Sequence, residues 1–283
     1  MKISAAIVAA FVGSASAFAP AVQNARTETG LFARKAFITG NWKLNPGTKD
    51  EAISLATGIA DAVTSDTPGD VAIFVPYPFL ESVQKAVDGK VTIGAEFITA
   101  EDGGAFTGGV SAQMLKSMGI ETALAGHSER RVINGESDEE INKQCLKLIE
   151  CGMDVVLCIG ESLAEFEKGL VGSVCEIQLK KNLEGVSAED MKKVTIAYEP
   201  VWAIGTGKVA TPEIAQSVHE TCRGIISNMY GEEVADDIRI LYGGSVSPES
   251  VDGLMKKPDI DGTLVGGASL DDAKFGRIIN FEE

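Results

Sequence analysis

A short apolar run, Val194-Thr195-Ile196-Ala197-Tyr198, ends on a single carboxylate, Glu199. Pro200-Val201-Trp202 follow, then the small-residue run Ala203-Ile204-Gly205-Thr206-Gly207. The apolar run reads as a buried strand. A carboxylate at a strand's end, beside a loop stiff at one side and pliable at the other, has the parts of a base under a closing lid. Excluding water raises a carboxylate's pKa and strengthens it as a base, so a raised Glu199 is expected. A lone Glu is also an ordinary surface carboxylate or a helix cap; the loop beside it is what favours the base.

Other residue types complete a chemistry. His127, in Gly126-His127-Ser128-Glu129, is one of two histidines. With its ring near a helix start, the helix dipole would hold it neutral. A neutral imidazole can donate to a carbonyl oxygen and move a proton between adjacent oxygens. The other, His219, reads as mid-helix on a surface with no special neighbours. Lys43, in Asn41-Trp42-Lys43, supplies fixed positive charge for a phosphate and a developing enediolate, and Asn41 can donate to a substrate oxygen. Two glycine-rich turns, Gly243-Gly244-Ser245 and Gly266-Gly267, can bring backbone N–H groups to an anion. Ser245 adds a hydroxyl, and Gly205 a further N–H from the lid. One Gly-Gly is a tight turn; two at the ends of successive strands point to a phosphate site. Base, neutral electrophile, cation and phosphate clamp together imply proton abstraction next to a carbonyl in a small phosphorylated sugar. With no metal-ligand cluster and no nucleotide motif in the chain, no metal and no cofactor are expected.

These residues need one frame. Short apolar runs recur at Phe37–Asn41, Val71–Pro76, Val91–Ala95, Thr122–Gly126, Asp154–Ile159, Val194–Tyr198, Ile238–Tyr242 and Thr263–Gly266. Helical spacing lies between them. Thr48 precedes Ala52, Ile53 and Leu55, Ser137 with Glu140 makes a capping box, and Thr211-Pro212 and Ser247-Pro248 each read as helix starts. Strands alternating with helices predict parallel pairing, and nearly continuous apolar strands are buried on both faces. Eight units predict an α/β fold, a closed (β/α)8 barrel, as a single domain over 36–283. An open doubly wound sheet would show G-x-G-x-x-G after its first strand, and none stands there. In a barrel the active site lies where strands end, and every candidate site residue named above stands at a predicted strand end or in the loop that follows one.

The chain has 283 residues, 45% hydrophobic and 23% charged, with a formal net charge of −16. That charge argues against nucleic acid and anionic membrane surfaces as partners. Five cysteines with no C-x-x-C and only two histidines argue against a disulfide framework or a zinc site. The first 35 residues differ from the rest. Lys2, the apolar run Ala5–Val12 and the small residues Gly13–Ala17 have the order of a signal peptide, about 1–17. The segment 18–35, with Arg26, Arg34 and Lys35 against Glu28, is transit-peptide-like. Without this leader, 21 of the 25 basic and 40 of the 41 acidic residues remain, a net of −19. The junction Ala15-Ser16-Ala17-Phe18-Ala19-Pro20 resembles the bipartite presequence of diatoms and related algae. That resemblance implies delivery to the plastid stroma, with secretion or a mitochondrial address as alternatives.

Asn41-Trp42-Lys43, GHSERR at 126–131, AYEPVWAIGTGK at 197–208, YGGSV at 242–246 and LVGGASL at 264–270 resemble the signatures of the triosephosphate isomerase family. The resemblance spans essentially all of 36–283. It implies interconversion of dihydroxyacetone phosphate and glyceraldehyde 3-phosphate, a Glu base with a neutral His electrophile being the arrangement this family exemplifies. By resemblance Glu199 moves the proton, His127 is the electrophile, and Lys43 and Asn41 bind substrate. Gly205, Ser245, Gly266 and Gly267 hold the phosphate, while Glu129, the partner of Lys43, and Ser128 support the site. It also implies a homodimer in which Gly104–Gly108, with Thr107 at its tip, reaches the neighbouring subunit. The chain departs from the family at that surface. Glu96-Phe97 replaces a usual Gln-Asn, and Gly109 replaces a Glu that would pair with Arg130, so an altered, weaker interface is expected. The competing readings are a different phosphate-binding barrel isomerase and a non-catalytic phosphate-binding or scaffold protein derived from the enzyme.

Overall fold

The computed structural model describes residues 34–203 and 210–282. The expected signal peptide, residues 18–33 of the transit-like stretch, and Gly205 lie outside the described residues.

Eight strands form a closed parallel barrel in chain order. They are β1 (Ala36–Asn41), β2 (Gly69–Val75), β3 (Thr92–Ala95), β4 (Thr122–Ala125), β5 (Asp154–Ile159), β6 (Val194–Tyr198), β7 (Ile240–Tyr242) and β8 (Gly262–Val265). Closure is direct, since Phe37–Gly40 of β1 pairs in parallel with Gly262–Val265 of β8, which rules out an open sheet. The α-helices are α1 (Lys49–Ala62), α2 (Leu80–Val87), α3 (Ala112–Ser117), α4 (Ser128–Val132), α5 (Asp138–Glu150), α6 (Leu163–Glu167), α7 (Val171–Asn182), α8 (Pro212–Tyr230), α9 (Glu232–Asp237), α10 (Val251–Met255) and α11 (Asp272–Ile279).

The strands bury both faces. Phe37, Phe74, Leu124, Val156, Leu241 and Leu264 belong to one cluster, drawn from alternate positions that face the barrel interior. Their neighbours, such as Ile38, Ile73, Val155 and Ile240, join the larger cluster shared with the helices. All five cysteines are free, and Cys145, Cys158, Cys175 and Cys222 are buried.

Local chemistry sets the helix starts. Thr48 and Ser137 close capping boxes with Glu51 and Glu140, satisfying N–H groups that the first turn leaves unpaired. Thr211 caps α8, with Pro212 in its first turn. Ser247-Pro248 behaves differently from expectation. The Ser250 and Val251 N–H groups both bond the Ser247 carbonyl, closing a turn, and α10 begins only at Val251.

His219 is the clearest correction. It is not on a surface: it is fully buried on α8, with its ring 5.8 Å from Tyr198 and 6.3 Å from Tyr242. Its Nδ1 faces the Asp259 carbonyl at 3.1 Å. A carbonyl only accepts, so Nδ1 carries the proton. Burial pushes the imidazole down to about 4. Helical spacing placed the residue correctly along α8 but could not show that this face turns inward.

An ionic network lies beneath β7 and β8. Arg223 bonds Asp259 at 2.7 Å and Asp261 at 2.6 Å, and Asp261 also accepts from the Ile240 N–H at 2.7 Å. Arg34 joins it, bonding Asp261 at 2.5 Å and the carbonyls of Asp236 and Pro258 at 2.9 Å each. Lys35 pairs with Asp70 at 2.5 Å. Among the described residues, Arg34 and Lys35, two basic residues that look like leader by composition, thus find acidic partners in the fold.

His219 gives a pH signature. Its folded pKa lies below the unfolded value of about 6.5, so its contribution is intact above that value and is lost as pH falls towards 4. The loss is on the order of 3 kcal/mol. Urea midpoints of wild type should therefore fall more steeply between about pH 6.5 and 4.5 than those of His219→Gln.

Candidate active site

Strand ends position the site. A cavity of about 320 Å³ opens at the C-terminal rim, lined among others by Asn41, Lys43, His127, Glu199, Ser245 and Gly266. Gly243, Gly244 and Gly267 line it too. The structure thus brings together residues from β1, β4, β6, β7 and β8.

Glu199 follows β6 directly and is 2% exposed. Two glycines make room for it. A Cβ on Gly243 would fall 2.8 Å from Glu199 Cγ, and one on Gly160 would fall 1.8 Å from the Glu199 carbonyl oxygen. One carboxylate oxygen is 2.9 Å from His127 Nε2, and the other accepts the Ser128 N–H at 2.8 Å. Burial alone raises Glu199, yet His127, the Ser128 N–H and Lys43 outweigh it and hold the carboxylate below its ordinary value. The raised Glu199 expected from dryness is therefore corrected: the groups that close around it are donors and cations, and they favour its charged form.

His127 is the N-cap of α4, and its Nδ1 accepts the Glu129 N–H at 3.3 Å. An accepting Nδ1 leaves the proton on Nε2, where it points at Glu199. Burial pushes His127 down, but the charge and hydrogen bond of Glu199 more than offset this and hold it above its ordinary value; Lys43 opposes them. The dipole-held neutral ring is thus only half of the balance: the α4 N–H keeps Nδ1 bare, while Glu199 pulls the other way.

Lys43 has φ 55°, a left-handed conformation that costs a non-glycine residue about 1–3 kcal/mol. Asn41 Oδ1 accepts its N–H at 3.0 Å and Glu129 holds its Nζ at 2.6 Å. These two bonds fix the ammonium at the cavity wall. Ser245 donates to the Ala203 carbonyl at 2.8 Å, tying the β7 turn to the residue just before 204–209. Thr107 stands apart. It is exposed, in the segment after β3, and is not among the cavity residues.

Some contributors carried little sequence signal. Glu161, two residues beyond β5, is buried and accepts from Tyr198 OH at 3.0 Å and Trp202 Nε1 at 2.7 Å. It anchors the stiff side of the loop after Glu199. Arg131 bonds the Gly126 carbonyl at 2.7 Å and the Cys158 carbonyl at 3.0 Å, joining the ends of β4 and β5. Nothing in its spacing separates it from a surface arginine.

The departures near β3 form one cluster. Arg130, without a Glu at position 109, pairs with Glu136 at 2.6 Å and lies 3.8 Å over the Phe97 ring. The Tyr77 ring lies tilted against that of Phe97, centroids 5.2 Å apart. Burial first, then the Glu129 charge, pushes Glu96 up to about 8, against the Lys43 N–H and ammonium.

Comparison with known proteins places the chain in a family. The profile of the family described as "Triosephosphate isomerase" matches residues 36–282. A protein of that name from Carboxydothermus hydrogenoformans is 46% identical over 247 residues, covering 87% of this chain and 98% of the relative. Another from Chloroherpeton thalassium is 46% identical over 252 residues, covering 88% of this chain and all of the relative. One from Clostridium beijerinckii is 44% identical over 249 residues, with 88% and 100% covered.

Proposed function

Because this chain belongs to the triosephosphate isomerase family, we propose that it interconverts dihydroxyacetone phosphate and D-glyceraldehyde 3-phosphate through an enediolate, with Glu199 as the base. The observation that carries this reading is the 2.9 Å contact between Glu199 and His127 Nε2 inside a cavity walled by Lys43.

The phosphate of the substrate seats at Ser245, Gly266 and Gly267, and its carbonyl faces Asn41, Lys43 and His127. To act, Glu199 leaves His127 and takes a proton from the carbon beside the carbonyl. The C–H electron pair becomes the carbon–carbon double bond, and the carbonyl oxygen takes up negative charge. His127 donates its Nε2 proton to that oxygen. Losing Glu199 as a neighbour, it keeps Lys43 and the α4 N–H, both of which disfavour a second ring proton. The ring then recovers a proton from the adjacent hydroxyl, and protonated Glu199 returns its own to the second carbon. No atom is gained or lost, and Lys43 offsets the charge throughout. Gly205 supplies a further N–H to the phosphate in this reading.

Purified protein should interconvert the two triose phosphates. Glu199→Asp, which draws the carboxylate back by about 1 Å, should lower kcat roughly 10²-fold. Binding of triose phosphate by the wild type without turnover would instead support the non-catalytic alternative.

A homodimer is the second part of the proposal. Large apolar side chains stand exposed on the segments after β1, β3 and β4: Leu44 at 95%, Phe106 at 49%, Val132 at 74% and Ile133 at 76%. Such residues on adjoining segments fit a protein–protein surface, and Thr107 lies beside Phe106 to reach a second copy. Sedimentation at micromolar concentration should show a dimer; monomer alone would remove this part.

The ASAFAP junction supports plastid delivery. A fusion of residues 1–35 to a fluorescent protein should accumulate in the plastid of a diatom cell, and a secreted or mitochondrial signal would replace that address.

A further inference from the structure

We propose that Gln178 is a positioning residue for Glu199: its carboxamide, clamped on both polar groups of Gly160, sets where the Glu199 carboxylate stands. The inference rests on the reading of Glu199 as the base.

Gln178 lies on α7 and reaches the residue that follows β5. Its Oε1 accepts the Gly160 N–H at 2.8 Å, and its Nε2 donates to the Gly160 carbonyl at 3.1 Å. Only a neutral group with one donor and one acceptor side by side makes both bonds. The clamp replaces strand pairing at the point where β5 ends.

Gly160 is in turn the seat of Glu199. A Cβ placed on it would lie 1.8 Å from the Glu199 carbonyl oxygen and 2.7 Å from the carbonyl carbon. The two backbones therefore touch with no side chain between them to absorb a shift. On either side of this contact, the Glu199 N–H bonds the Ile159 carbonyl at 2.7 Å and the Val201 N–H bonds the Glu161 carbonyl at 3.2 Å. Residues 159–161 thus carry residues 199–201 as a unit, and the polar groups of the middle one are held by Gln178. At the far end of the side chain, the carboxylate meets His127 and Ser128 beyond β4 at 2.9 and 2.8 Å. A displacement of Gly160 changes these distances, and a misplacement of about 1 Å at a reacting group costs on the order of 10²-fold in rate. Of the phosphate-binding residues, Gly266 and Gly267 follow β8, outside this chain of contacts, and Ser245 after β7 meets its edge at the Ala203 carbonyl, beyond residues 199–201. Gln178 therefore governs kcat rather than KM.

The test uses the full chain with Gln178→Leu and Gln178→Glu, assayed where circular dichroism shows each variant folded. In Gln178→Leu, kcat should fall about 10- to 100-fold with KM within about 3-fold of wild type. In Gln178→Glu the ionised carboxylate repels the Gly160 carbonyl, but the protonated acid restores donor and acceptor together. The activity ratio of Gln178→Glu to Gln178→Leu should therefore rise as pH is lowered from about 8 to 5.5. Glu161, Glu199 and Arg131, the charged residues on the neighbouring strand ends, are common to both variants and cancel in the ratio. A kcat for Gln178→Leu within about 2-fold of wild type, a KM that rises as far as kcat falls, or a ratio flat in pH would overturn the assignment. If Gln178→Leu does not fold, the pH dependence of Gln178→Glu against wild type decides the question in the same way. NMR of the His127 ring gives a readout without turnover. Glu199 holds His127 up, so the His127 pKa should drop in Gln178→Leu; an unchanged pKa overturns the inference even if the wild type proves inactive on triose phosphates.

Discussion

An ionised carboxylate held at 2% exposure is the constraint around which this molecule is arranged. Removing such a charge from water is costly unless hydrogen bonds and opposite charge compensate. For Glu199 the compensation comes from three elements: the His127 ring, the Ser128 N–H at the start of α4, and the Lys43 ammonium. Each supplier then needs support of its own. His127 presents Nε2 because the α4 backbone occupies Nδ1, and Lys43 keeps its left-handed φ because Asn41 and Glu129 hold it. Room for Glu199 exists because a missing Cβ at position 160 admits its backbone carbonyl and one at position 243 admits its side chain. The same compensation that stabilises the charge weakens Glu199 as a base. In the proposed reaction, departure from His127 is what restores its basicity.

Local positive charge matters more here because the chain is acidic. With a net charge of −16, the field of the whole protein disfavours an anionic substrate. In the proposed reaction, Lys43 and the backbone N–H groups of the β7 and β8 turns counter that field at close range. Glu96 limits the damage in its own way. Burial and the Glu129 charge hold it above its ordinary value, which disfavours a further negative charge beside Lys43 and Glu129. Around it, Phe97 and Glu136 give Arg130 a ring to lie over and an acid to pair with, replacing the pairing that a Glu at position 109 would have made.

Most of the fold was legible because each strand is buried on both faces and announces itself as a continuous apolar run. Asp154–Ile159 and Val194–Tyr198 match the structure at both ends, and Thr48, Ser137 and Thr211 marked helix starts through bonds made within one turn. Legibility failed where a long-range contact decided. Ser247-Pro248 is a local exception, with the composition of a helix start but closing a turn before α10. The pairing of Arg34 with Asp261 and of Lys35 with Asp70 carries no signal in composition. His219 has helical spacing but faces Tyr198, Tyr242 and a carbonyl 40 residues away.

The sequence by itself determined the barrel, the order of its strands and the set of residues at their ends, because periodicity and capping act between near neighbours in the chain. It therefore named Asn41, Lys43, His127, Glu199, Ser245, Gly266 and Gly267 as a group. Only the tertiary structure decided how protons and charges are shared among them. Whether Glu199 is raised by dryness or lowered by donors depends on distances of 2.8–2.9 Å between segments 71 or more residues apart. Whether Gln178 is a surface polar residue or a clamp depends on where α7 lies against the end of β5. Such distances follow from packing, and packing is a property of the closed barrel rather than of any stretch of chain.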